Sequence, residues 1–214
     1  MIETVKESRR AKLEEYGITS FWYFARIENL DSILEHGILP KNQVEQRRLH
    51  FYSFAEESVQ KRRHYKQIKL SNGQKFTVHD LVPVYLCPKT PTLSARREDQ
   101  YRLIFTRIQS AILLDDGVEF AFTDGNAAHS KTKFFVNLSQ LSELPWEVIK
   151  AHYWNDLPDG KRKRSSEFLI FPRIPINRFM EFGVSTEAAC DRANEIVARR
   201  KLQIRVSVKT EWFF

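Results

Sequence analysis

Apolar residues in this chain come in short bursts between charged runs, and their spacing shifts between the strand period and the helix period. From Glu3 to Tyr16 charges run nearly all round, with Val5, Leu13 and Tyr16 as apolar points, which predicts a surface helix closed by Gly17. Phe21-Trp22-Tyr23-Phe24-Ala25 reads as a buried strand, and Ile27, Leu30, Ile33 and Leu34 follow at helical spacing up to Gly37. The stretch from Pro40 to Lys75 is polar and cationic; within it Phe51 to Ala55 predicts a strand, Glu56 to Lys66 a helix and Ser71-Asn72-Gly73 a turn. Leu81 to Cys87 reads as a core strand, although Pro83, with no N–H to donate, argues for an edge position or an irregular entry. Further strands are predicted at Arg102 to Thr106, Val118 to Thr123, Glu167 to Phe171, Arg178 to Val184 and Gln203 to Val208. Helices are predicted from Pro145 to Trp154, with the proline in the first turn, and from Thr186 to Arg199, where Ala189, Ala193, Ile196 and Val197 form one stripe.

Strands outnumber helices without regular alternation, which points to an α+β fold and not to a doubly wound sheet. The 214 residues are 42% hydrophobic, enough for one sizeable core, and contain no repeat, linker or low-complexity tract. A single domain over residues 1–214 is expected, with residues 1–18 as an N-terminal helical appendage. Lys plus Arg total 34 against 27 for Asp plus Glu, a net charge of +7 that favours polyanionic partners. Cys87 and Cys190 lie far apart and match no metal or redox spacing, so reduced thiols and a cytoplasmic setting are expected. No apolar run approaches the roughly 20 residues that span a bilayer, and charges begin within a few residues of Met1, so neither membrane association nor a signal peptide is expected.

Phosphate-cradling glycine loops, zinc-protease and nucleophile-elbow motifs and paired-cysteine zinc sites are all missing from the sequence. The histidines at 36, 50, 64, 79, 129 and 152 never fall at metal spacing, so no metal is expected. The most informative stretch is Trp146 to Phe171: Tyr153-Trp154, then Lys161-Arg162-Lys163-Arg164, then Glu167 opening an apolar strand. Charge pattern alone fits an exposed strand-end carboxylate behind a solvated basic loop. The arrangement also places one anion beside a cationic, aromatic surface suited to a polyanion.

Several segments, in order and spacing, resemble the DarT family, DNA ADP-ribosyltransferases of bacterial toxin/antitoxin and anti-phage systems. They are Phe21 to Leu30 (FWYFARIENL) ahead of Gly37, Gln60-Lys61-Arg62-Arg63, Val82 to Leu93 (VPVYLCPKTPTL), Phe122 to Phe135 (FTDGNAAHSKTKFF), Tyr153-Trp154 and Arg164 to Ile170 (RSSEFLI). The resemblance implies an ADP-ribosyltransferase-like fold with a split, mostly antiparallel central sheet flanked by helices, and NAD as co-substrate without a metal. It implies that Glu167 is the catalytic glutamate and Arg63 the catalytic arginine facing the target base. It assigns NAD contacts to Tyr23, Ala25, Gly37, Ser53 and Arg63. Nucleic-acid contacts fall to Lys89, Thr92, Leu93, Asn126, Tyr153, Trp154, Lys161, Arg162, Lys163 and Arg164. The family usually has His-x-Thr where this chain has Tyr23 and Ala25; tyrosine keeps a hydroxyl and alanine does not.

On composition alone, Trp22, Tyr23 and Phe24 are core aromatics, Gly37 is a helix stop, Asp124-Gly125-Asn126 is a turn and Arg63 is one cation in a basic helix. The implied activity is transfer of ADP-ribose from NAD to a base in single-stranded DNA, by a toxin or anti-phage effector. The same chemistry on RNA and a non-catalytic nucleic-acid-binding module are the alternatives. An antitoxin with ADP-ribosylhydrolase activity is the implied partner. All of this requires the side chains of Arg63 and Glu167, far apart in sequence, to converge on one cleft.

Overall fold

A computed structural model describes residues 2–54 and 56–214. Ten strands form: β1 (Ser20–Arg26), β2 (Gln67–Lys69), β3 (Lys75–Thr77), β4 (Val82–Tyr85), β5 (Leu103–Gln109), β6 (Glu119–Thr123), β7 (Phe134–Phe135), β8 (Glu167–Phe171), β9 (Phe179–Val184) and β10 (Val206–Val208). The helices are α1 (Ile2–Glu15), α2 (Leu30–His36), α3 (Lys41–Gln46), α4 (Glu57–Tyr65), α5 (Pro91–Ser94), α6 (Trp146–Lys150), α7 (Gly160–Lys163) and α8 (Glu187–Arg199). Eight strands make one sheet in the order β10-β9-β5-β1-β4-β8-β6-β7, and β2 pairs with β3 in a separate hairpin. Among the described residues only the β10–β9 pairing within the large sheet is parallel.

The sheet is split along its middle. β1 runs against β5 from Ser20↔Gln109 to Arg26↔Leu103, and β4 against β8 from Val82↔Ile170 to Tyr85↔Glu167. Between these two ladders, β1 and β4 meet only at Trp22↔Tyr85. Pro83 therefore lies in an inner strand, so of the two readings, an edge position or an irregular entry, the edge position is not the one taken. Its missing donor is tolerated because the seam toward β1 has already opened there.

Alternation along the strands divides the apolar residues between two faces. Phe21, Val82, Val84, Phe168 and Ile170 point into the main core, which α2 and α8 close with Leu30, Ile33, Leu34, Ala193 and Val197. Leu13 and Ile18 are buried in this core too, and Arg9 donates to the Leu113 carbonyl at 2.9 Å, so α1 is packed onto the body. The Thr186 hydroxyl caps α8 by accepting from the Ala189 N–H at 3.2 Å. On the opposite face two smaller clusters form, one around Leu81, Ala127 and Leu169, the other around Leu93, Phe105 and Phe213. The cleft described below is lined from both sides, by Ala25, Ile33 and Ile38 of the main core and by Phe54 and Leu81 of the smaller clusters.

Several boundaries differ from the sequence expectation. Phe51 to Phe54 forms no strand, and Ala55 lies outside the described residues. The helix expected to reach Trp154 ends at Lys150, where Arg164 takes up the carbonyls of Val148, Ile149 and Ala151, and the last strand starts at Val206. None of the described helices is long and apolar enough to cross a membrane.

Candidate active site

Strand pairing sets the centre of the site. Glu167 begins β8 and stands opposite Tyr85 at the end of β4, beside the seam where the sheet parts. Arg63, the buried residue of the otherwise exposed α4, reaches in and binds the carboxylate in bidentate fashion, Nη1 to Oε1 and Nη2 to Oε2, each at 3.0 Å. Oε1 also accepts the Ala127 N–H at 2.9 Å. Glu167 is 1% exposed, yet its surroundings are polar: a guanidinium, a backbone donor and the Tyr85 ring. Burial alone would lower the Arg63 pKa, but the paired carboxylate outweighs it and the net shift is upward. The Tyr85 hydroxyl is pushed well above its ordinary value by burial and by the adjacent Glu167.

The Asp124-Gly125-Asn126 segment is a turn, as composition predicts, and the turn delivers the Ala127 donor. Thr123 ties its base, the hydroxyl donating to the Gly125 carbonyl at 2.7 Å and accepting from the Glu167 N–H at 3.1 Å. Asn126 accepts at its side-chain oxygen from the Ala128 N–H, 2.9 Å away. Arg162 pins the turn to α7 through Asp124 at 2.9 Å and Asp159 at 2.5 Å. A Cβ at position 125 would run into the Arg162 side chain, which explains the glycine.

A cleft of about 1180 Å³ opens beside the ion pair. Its walls include Tyr23, Ala25, Gly37, Ser53 and Arg63, the five residues expected to contact NAD. The pocket has dinucleotide dimensions. Gly37 adopts φ +76°, and a Cβ there would collide with the Ile174 carbonyl oxygen, so it both stops α2 and permits close backbone approach. Tyr23 packs against the main core, where burial pushes its hydroxyl up to about 12, and Ala25 is buried in that core. Among the described residues no group of three or more His, Cys, Asp or Glu could hold a metal ion.

The expected nucleic-acid residues are only partly gathered. Thr92, Asn126, Lys161 and Arg162 line the cleft, Lys89 sits on the loop leading to α5, Lys163 is half-buried, and Tyr153 is 75% exposed. Leu93 is fully buried in the second-face cluster, and Trp154 is buried as well, so neither offers a surface to a nucleic acid. Arg164 is also turned inward: it donates to the carbonyls of Lys89, Val148, Ile149 and Ala151 at 2.5 to 3.1 Å. Its charge is used to satisfy backbone carbonyls. Sequence reasoning did not single out Tyr85, Thr123 or His79, which is 4% exposed, lines the cleft and has no hydrogen-bond partner for Nε2 among the described residues. Tyr85 lies within one of the quoted segments, but only strand register reveals that it faces Glu167.

Comparison with known proteins decides the family. The family described as "ssDNA thymidine ADP-ribosyltransferase, DarT" matches residues 22–214. The chain belongs to the DarT family. A DNA ADP-ribosyl transferase of Thermus sp. (strain 2.9) is 30% identical over 209 residues, covering 92% of this chain and 96% of the relative. Thermus sp. 2.9 DarT in complex with ADP-ribosylated ssDNA superposes with a TM-score of 0.83 at 27% identity, over 92% of this chain and 96% of the other. The same DarT in complex with carba-NAD+ gives 0.78 at 26% identity, over 92% and 98%. A DNA ADP-ribosyl transferase–DNA ADP-ribosyl glycohydrolase fusion protein of Thermosipho africanus is 26% identical, over 70% of this chain and 38% of the relative. The large, mostly antiparallel sheet flanked by helices is the DarT architecture.

Proposed function

We propose that this DarT family member is an NAD-dependent mono-ADP-ribosyltransferase whose acceptor is a base, thymidine by the family's description, in single-stranded DNA. The observation that carries the reading is the bidentate meeting of Arg63, which lines a cleft of dinucleotide size, with Glu167 buried directly behind it. In the reaction the bond between ribose C1′ and the nicotinamide nitrogen breaks, and a bond from C1′ to a ring nitrogen of the base forms. Neutral nicotinamide leaves, and the proton on the ring nitrogen is released. Positive charge builds on the ribose meanwhile, and a fixed carboxylate at Glu167 stabilises it. A ribose hydroxyl bonding Glu167 replaces a guanidinium hydrogen bond, and Arg63 is freed to polarise the acceptor base. An always-charged guanidinium suits that role better than the role of a base. Single-stranded substrate follows from the chemistry, because the reacting nitrogen is shielded inside a duplex.

Glu167→Gln keeps an acceptor for the Ala127 N–H and removes the charge. Transfer of labelled ADP-ribose from NAD to a DNA oligonucleotide should fall by about a thousandfold or more, while NAD still raises the melting temperature. No label on any DNA strand from the unaltered protein would overturn the reading. Label on RNA alone would change the acceptor, and the absence of any NAD-induced shift would favour a binding module. The fusion of transferase and glycohydrolase in one relative supports a hydrolase antitoxin as partner and with it a toxin role, and the free thiols of Cys87 and Cys190 fit a cytoplasmic setting.

A further inference from the structure

We propose that Phe214, with Lys89 and Arg97, forms a stacking platform for a nucleotide of the acceptor strand that flanks the modified base. This rests on the transferase reading and extends it to a second contact site on the same strand.

Position is the first support. The chain leaves β4 at Tyr85, opposite Glu167, passes Lys89, whose carbonyl is held by Arg164, and enters α5. Pro91, Thr92, Ala95 and Arg96 of this segment line the cleft. The Phe214 ring lies against the residues on either side of this lining segment, with Lys89 Nζ 5.6 Å and Arg97 Cζ 5.0 Å from its centroid. A strand with its target base beside Glu167 and running out over the rim meets this ring next.

Rigidity is the second. Gln100, 3% exposed, donates through Nε2 to the Leu93 carbonyl of α5 at 3.0 Å and accepts the Phe214 N–H at Oε1 at 2.9 Å. One buried amide therefore locks the rim helix and Phe214 to each other. Trp212 and Phe213 are buried in the cluster that holds Leu93, whereas Phe214 remains 41% exposed. The core takes two of the three aromatics and holds the third outside in a fixed place.

Chemistry is the third. An exposed cation–ring pair is weaker than a base stacked on the same ring. A base therefore displaces one cation from the ring, and that cation becomes available to the neighbouring phosphate. Arg102 over the exposed Tyr101 repeats the pairing on the same 3-10 segment, Arg97–Arg102. The net charge of +7 suits a polyanion on this path.

The test compares Phe214→Ala and Phe214→Tyr with the unaltered protein, using a DNA oligonucleotide of about 12 nucleotides, within one single-strand site, and, as the short strand, a dinucleotide whose target base is the end facing the ring, so that no nucleotide reaches it. Dissociation constants come from fluorescence anisotropy and kinetics from labelled NAD. Phe214→Ala should weaken binding of the long strand and raise its KM by about tenfold, the order of one lost stacked base, with the short strand little affected. Phe214→Tyr should restore the parent values. Equal long-strand affinity in all three proteins, or equal loss on both strands, overturns the platform. If the unaltered protein modifies neither strand, the transferase reading fails, and the anisotropy comparison still decides the platform on its own.

Discussion

Arg63 and Glu167 show how one pair of residues can be both buried and chemically available. Each would be costly to bury alone, and together the bidentate geometry and the Ala127 donor replace lost hydration. His79 presents the contrasting case. Burial, followed by the nearby Lys41, Arg63 and His64, pushes its pKa down to about 4. In the unfolded chain an imidazole titrates near 6.5, so between those values the unfolded state binds the extra proton. The stability contributed by neutral His79 is therefore complete above about pH 6.5 and is lost as pH falls toward 4. Melting temperatures measured from pH 7 to 4.5 should drop for the unaltered protein and drop less steeply for His79→Gln. Parallel curves would contradict this account.

At the scale of elements, α7 and the loops around it depend on Arg164, which gathers carbonyls from α6, from the residues after it and from the β4–α5 loop. Arg164→Met keeps the stem and leaves buried acceptors unpaired, at about 1–3 kcal/mol for each group left unsatisfied. Denaturant titration should show a loss of at least that size, with transfer falling because Glu167 lies three residues on; unchanged stability would refute the structural role. Before folding, this arginine is one of four cations in a row, and nothing in Lys161-Arg162-Lys163-Arg164 tells which turn inward. Periodicity did reveal β8 and α8, whose apolar spacing is clean, and the segments around Arg63 and Glu167 carried enough of the DarT pattern to name both. It did not reveal that Phe51 to Phe54 stays irregular, because three aromatics within four residues look like a strand whether or not a partner strand exists. Nor did it reveal Tyr85 opposite Glu167, since register depends on which strands become neighbours.

Over the whole molecule, fewer cations of the basic run are free to meet a phosphate than the sequence suggests. Arg63, Arg162 and Arg164 are committed to internal partners, whereas Arg62, Lys66, Arg96 and Lys161 line the cleft and Lys89 and Arg97 flank Phe214. Four phosphate contacts predict a slope of about −3 when the logarithm of single-strand affinity is plotted against that of salt concentration. Affinities measured across a salt series should give that slope, and Lys161→Gln should make it shallower by roughly 0.7; a flat response would rule out phosphate contacts. The lone rung between β1 and β4 has a wider effect. A continuous sheet resists shear because every ladder bond along the line must give way, but here the line is already cut. What joins the two ladders across it, that one rung apart, is therefore side-chain packing, above all Phe21 against Phe168 with ring centroids 4.8 Å apart, and not backbone hydrogen bonding.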